Sequence, residues 1–226
     1  MKLENIKKRI KPLLVFGALY LSIFFALEQR DEKVNIIQAD IDTRIPFCEY
    51  FIVPYVLWYF FVAGTVLYFM VRASQKEYES LILSLAIGMI LFVIVSFVYP
   101  NGHNLRPAIT EDNIFLKAVK FLYSIDTSTN ILPSLHVFNT VVCYKAILNN
   151  RECRQHNWLI VSLGILSVSI ILSTMFLKQH SAFDVLTALG LALVMYGLVY
   201  GREAITAFRK ILYKKIKSSS RPARVS

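Results

Sequence analysis

Charge is scarce in this chain. Only 18% of its 226 residues are Asp, Glu, Lys or Arg, against about one quarter in soluble domains. With 56% hydrophobic residues, that scarcity excludes both an ordinary soluble globule and a disordered segment. Glycine and proline are few, at 8 and 7, which excludes collagen-like and Gly/Pro-rich low-complexity chains. The three cysteines, Cys48, Cys143 and Cys153, are odd in number and far apart. They offer no CxxC pair and no disulfide framework. What charge there is carries one sign in excess, +10 net. In a soluble chain that would suggest nucleic acid; in a membrane chain it reflects cytoplasmic loops, and no nucleic-acid partner is expected.

Apolar runs lie at 13–27, 51–71, 81–99, 133–148, 158–177 and 182–200. A helix crosses a bilayer with about 17–25 residues, and the runs at 51–71, 81–99 and 158–177 do so without a charge. The fourth carries Lys145 near its end, where a long side chain snorkels to the interface, and the sixth carries Asp184 near its start. The first run resembles a leader in following Lys7, Lys8, Arg9 and Lys11, but no small-residue cleavage pattern follows it, so a retained helix is expected. With the N-terminus inside, Lys and Arg divide 18 inside to 7 outside. The excess of inside positive charge places both termini in the cytoplasm. The expected fold is therefore all-α: a six-transmembrane-helix bundle, a single domain over residues 1–226. It has two longer outer loops, 28–50 and 100–132, and a basic, disordered cytoplasmic tail from about 214. The short inner loops point to a bacterial cytoplasmic membrane.

Ionisable residues at span ends need a reason, and three polar clusters fall on the expected outer side. The first runs from Tyr99 to Pro107 and holds His103 and Arg106. The second is Pro133-Ser134-Leu135-His136, opening the fourth span. The third runs from Lys178 to Asp184 and holds His180. Pro133 suits a first helical turn, which puts Ser134 and His136 at a helix N-terminus, where an anion is favoured. His180 and Asp184 are four apart and share a face if helical. An aspartate on one imidazole nitrogen fixes the tautomer and leaves the other nitrogen free to attack. Arg106 and Lys178 supply positive charge for a phosphate. Two histidines, a carboxylate, two cations and a hydroxyl describe a phosphoryl-transfer site. The acids of the first outer loop are too scattered for a calcium loop, and neither a metal nor another cofactor is expected.

The order Arg106-Pro107, Pro133-Ser134-x-His136, His180-x-x-x-Asp184 resembles the type 2 phosphatidic acid phosphatase superfamily. The motifs of that superfamily are Lys-x6-Arg-Pro, Pro-Ser-Gly-His and Ser-Arg-x5-His-x3-Asp. The match covers residues 99–184, and its Pro-Ser-Leu-His form resembles the inositol phosphorylceramide synthase branch. The resemblance implies a six-helix membrane fold of the haloperoxidase-like type and metal-independent chemistry. It implies that His180 attacks phosphorus, Asp184 orients it and His136 protonates the leaving group. Arg106, Ser134 and Ser173 fall on phosphate-holding positions. Three positions depart: Tyr99 stands for the first-motif lysine, Thr174 for the third-motif arginine and Leu135 for the glycine. Lys178 is the expected substitute for one missing cation, with His103 next. The function expected first is hydrolysis of a lipid phosphomonoester or diphosphate at the outer membrane face. Transfer of a phospho-headgroup to an alcohol comes second, and a non-catalytic membrane protein or transporter third.

Each residue also has a plainer reading. Ser134 is a good helix cap, Lys178 an interfacial anchor, and Ser173 bonds within its own helix, while Thr174 remains a weaker site candidate. His103 is then a loop histidine. The aromatics of the second span (Tyr55, Trp58, Tyr59, Phe60, Phe61) face lipid or neighbouring helices rather than a cofactor.

Overall fold

A computed structural model describes residues 3–30 and 32–199. The expected basic tail lies outside the described residues. Residues up to Ala192 form one compact unit, and a second begins at Leu193. The described part of the second is helical throughout, up to Val199.

Helix dominates, as the long apolar runs require. In chain order the helices are α1 (Leu3–Glu28), α2 (Asp40–Arg44), α3 (Ile52–Val71), α4 (Gln75–Val98), α5 (Ile114–Ile125), α6 (Leu135–Asn149) and α7 (Asn157–Phe176). The last among the described residues is α8 (Ala182–Val199). Five of these are long and apolar enough to cross a membrane: α1, α3, α4, α7 and α8. The remaining expected span, the fourth at 133–148, is helical as α6 but only 15 residues long. At 1.5 Å per residue it reaches about 22 Å, short of the roughly 30 Å of hydrocarbon. Its position explains how it can be short. It packs against α3, α4 and α7, and Val137, Phe138 and Cys143 are fully buried. Gly88 of α4 makes the close approach possible, since a Cβ there would fall 2.0 Å from the Phe138 ring.

Apolar side chains point outward as well as inward. Leu19, Phe60, Phe97, Ile165 and Leu186 are exposed, while Ser84, Asn139, Thr140, Ser167 and Thr174 are buried. Polar groups inside and apolar groups outside suit helices that meet lipid. At one end of the unit, Arg9 of α1 stitches the α3–α4 turn by donating to the carbonyls of Phe69, Met70 and Ala73 and to Gln75. Ser74 and Glu77 form a capping box that starts α4.

The two longer loops, 28–50 and 100–132, are more structured than expected. A short parallel ladder pairs β1 (Asn35–Ile36) with β2 (Asn101–Gly102). Buried Asn101 organises the second loop, its Oδ1 accepting from the N–H groups of Ile131 and Leu132 at 2.9 and 3.0 Å. Asn113 caps α5, whose Val119 and Leu122 pack with Ile52, Tyr55 and Leu177. α5 thus lies over the end of the unit where α6 and α8 begin.

Candidate active site

His180 and Asp184 come together through a helix start rather than along a helix face. α8 begins only at Ala182, so His180 precedes the helix, against the expectation of a shared helical face. Ser181 is the reason. Its Oγ accepts from the Asp184 N–H at 3.4 Å and donates to Asp184 Oδ1 at 2.7 Å, the Ser-x-x-acid pattern that begins helices. Asp184 Oδ2 then takes His180 Nδ1–H at 2.6 Å. Asp184 is fully buried. With the proton held on Nδ1, His180 Nε2 keeps a lone pair.

That lone pair faces His136, whose Nδ1 lies 3.4 Å from His180 Nε2. His136 sits in the first turn of α6, and Ser134 is the cap, its Oγ accepting from Val137 N–H at 3.4 Å. Pro133 therefore lies just before the helix rather than in its first turn. Ser134 N–H also donates to the Asp184 carbonyl at 3.3 Å, which joins the starts of α6 and α8. Aromatic rings of α3 wall in His136: Tyr55 at 4.6 Å and Trp58 at 4.2 Å between ring centroids, with Tyr59 edge-on at 6.4 Å. Phe60 faces outward as expected, but Tyr55 and Trp58 belong to the site. His136 Nε2 and Trp58 Nε1 are buried with no hydrogen-bond partner.

Arg106 reaches the same place from the 100–132 loop. Its guanidinium lies over the Tyr123 ring at 4.3 Å. It donates to the carbonyls of Tyr123 and Asp126 and to Gln179 Oε1, the residue before His180. Nε is buried without a partner. Burial pushes the guanidinium pKa down, and Asp126 leads the groups that oppose this; from so high a starting value it stays cationic. Burial likewise raises the Tyr123 phenol to about 12, and its hydroxyl donates to the Leu177 carbonyl at 2.6 Å.

Four other expected site residues are committed elsewhere. Lys178 is 7% exposed, and its ammonium donates to the carbonyls of Asp42 and Ile45 rather than turning toward His180. His103 uses both ring nitrogens on backbone: Nδ1 accepts from Leu105 N–H at 3.1 Å, so Nε2–H donates to the Gln179 carbonyl at 3.0 Å. Burial above all lowers its pKa, so it pins the turn as a neutral group and adds no phosphate cation. Ser173 and Thr174 donate to carbonyls of their own helix. Thr174 serves the site through its backbone, its carbonyl accepting the N–H groups of Gln179 and His180.

The structure thus brings Arg106, Ser134, His136, His180 and Asp184 to one end of the bundle and adds residues the sequence did not reveal. Tyr55, Trp58 and Tyr59, at one-face helical spacing, were legible as a set but not as the wall of His136. Gln179 and Asp126 carried no signal. Asp42, buried and accepting the Ala182 N–H at 2.7 Å, looked like one more loop acid. Among the described residues no group of three His, Cys, Asp or Glu side chains is placed to hold a metal. No protein-family model, curated protein or solved structure matches the chain.

Proposed function

We propose that this chain is an integral membrane phosphatase resembling the type 2 phosphatidic acid phosphatases, hydrolysing a lipid phosphomonoester or diphosphate through a phosphohistidine at His180. The observation that carries the reading is the relay Asp184–His180–His136, with contacts of 2.6 and 3.4 Å. It leaves the nucleophile's lone pair and the partner's N–H meeting at one point. A phosphoryl group placed there forms a bond to His180 Nε2 as its ester P–O bond breaks. His136, acting as the imidazolium, gives its Nδ1 proton to the leaving oxygen and is left neutral, and water later cleaves the P–N bond. Arg106 supplies charge for the phosphate oxygens, with its unpartnered Nε–H as one open donor.

The six-helix membrane architecture, termini inside and site outside, belongs to the same proposal. Its support is the 18-to-7 charge division and five helices of spanning length with α6 among them. Transfer to an alcohol in place of water is the second reading, and the Asp126 carboxylate beside the site favours it.

The test is purified full-length protein assayed on phosphatidic acid, phosphatidylglycerophosphate and a polyprenyl diphosphate, scored for phosphate and for new lipid products. Phosphate release that survives EDTA, yields to orthovanadate and vanishes in His180→Ala is the expected result. His136→Ala should still form phosphoenzyme from an activated aryl phosphate, whose leaving group needs no proton. Silence on every lipid would leave the non-catalytic reading standing. Loss of activity on chelation, restored by a divalent ion, would sink the histidine mechanism.

A further inference from the structure

We propose that Asp126 forms a hydroxyl-binding subsite beside the phosphate, selecting phosphate esters whose alcohol carries a second, free hydroxyl. The inference rests on the phosphoryl-transfer reading above and names the substrate class of that site. Asp126 closes α5, and its Oδ2 accepts from Tyr55 OH at 2.7 Å and from Gln179 Nε2 at 3.3 Å. Tyr55 packs at a tilt against His136, and Gln179 adjoins His180. The carboxylate is therefore one side chain away from each histidine.

A carboxylate is an odd neighbour for a phosphate, because like charges repel. Arg106 does not bond it: the guanidinium donates to the main-chain oxygen of Asp126 and to Gln179 Oε1. Both donors that reach the carboxylate, a phenol and an amide, are neutral, and both bind Oδ2. A carboxylate accepts about four hydrogen bonds, so Oδ1 retains capacity on a half-buried side chain. Its partner must be a donor, which a phosphate dianion is not. An ammonium would meet the positive charge of Arg106 nearby. A neutral hydroxyl meets neither penalty.

The alcohol is the group that leaves when His180 takes the phosphoryl and the group that enters when the step runs backward. One subsite serves both directions. Forward, the P–Nε2 bond forms, the P–O bond to the alcohol breaks, and the alcohol oxygen takes the proton from His136. In reverse, the alcohol oxygen bonds phosphorus, P–Nε2 breaks and His136 regains the proton. In either direction Asp126 holds the neighbouring hydroxyl and so orients the reacting oxygen.

The experiment compares a 1-acyl glycerol 3-phosphate, with its free 2-hydroxyl, against the 2-deoxy analogue, using full-length protein in detergent. A hydrogen bond to a charged group is worth about one to two powers of ten in kcat/KM. The wild type is expected to prefer the hydroxyl ester by roughly tenfold or more. Asp126→Asn is expected to lose most of that preference, whereas a merely structural role would lower both esters together and leave their ratio intact. An unchanged ratio in folded Asp126→Asn overturns the proposal. A wild-type ratio near one overturns it whether or not the variant folds. Both of those results leave phosphoryl transfer standing. No phosphate from either ester or from an aryl phosphate would remove that reading, and the subsite with it.

Discussion

Replacing Lys178 with methionine separates two roles for one ammonium. Met keeps the unbranched stem and the same β-carbon, so the left-handed backbone at this position, φ 53°, costs the same in both proteins. What changes is the pair of hydrogen bonds to the carbonyls of Asp42 and Ile45. Bonds to a charged group are worth about 1.5–3 kcal/mol each, but these two share one ammonium. Burial lowers the lysine pKa, with Asp42 opposing, so desolvation offsets part of the gain. A net loss of about 2 kcal/mol is the working figure, which in a chain of this size lowers Tm by roughly 4–8 °C. The assay is thermal unfolding in detergent, read beside kcat/KM per folded molecule and protease sensitivity of the 28–50 loop. The geometry expects a lower Tm, a more easily cut loop and a kcat/KM within a fewfold of wild type. An unchanged Tm with kcat/KM down tenfold or more would refute this reasoning. It would return Lys178 to the phosphate as a replacement cation.

Other perturbations test other links. Asp184→Asn presents an amide to His180 Nδ1 and shifts the proton to Nε2. Turnover should fall by about 10⁴, the scale seen where an orienting aspartate is lost from a histidine-based site, and a drop under tenfold would argue against His180 as nucleophile. Gly88→Ala drives a Cβ toward Phe138, 2.0 Å away, and should destabilise by about 1–3 kcal/mol. Adding Phe138→Leu should recover most of that in the same unfolding assay, and no recovery would mean the α4–α6 contact is not the cause. Orientation is best read at exposed positions, because Cys153 is buried and would stay silent on either side. With Cys48 and Cys153 changed to serine, Arg44→Cys should label with an impermeant thiol reagent in intact cells. Arg154→Cys should label only after lysis, and the opposite pattern would place the site in the cytoplasm.

The long helices were legible because lipid demands sustained apolar length, and α3, α7 and the part of α4 from Leu81 onward carry it without a charge. α6 is an interior helix: it meets protein on several sides, so its length need not match the bilayer. α5 was legible in principle, since buried Leu116, Val119 and Leu122 recur at helical spacing while Ile114, Phe121 and Ile125 fall on exposed positions. At the site, residues of one local motif were readable: Ser134 before His136, and His180 with Asp184. Contacts between distant segments were not. Nothing in the spacing says that Lys178 turns to the α2 carbonyls, that His103 binds the Gln179 backbone, or that Asp126 stands near the histidines. Such pairings depend on which loop folds over which helix start, and one-dimensional patterns do not encode that.

The hold of Asp42 on the first N–H of α8 spans a sequence separation of 140 residues. In biosynthetic terms, the loop that follows the first helix waits for the last helix to emerge. At about 5–20 residues per second that is a delay of roughly 7–28 s. Until then Asp42 lacks the Ala182 N–H, its carbonyl lacks the Lys178 ammonium, and His180 has no Asp184 to orient it. The His180–Asp184 pair is thus completed only when α8 starts, and a chain arrested earlier carries His136 without the nucleophile proposed above. On that proposal, a half-made copy left in the membrane would have no means of attacking a phosphate.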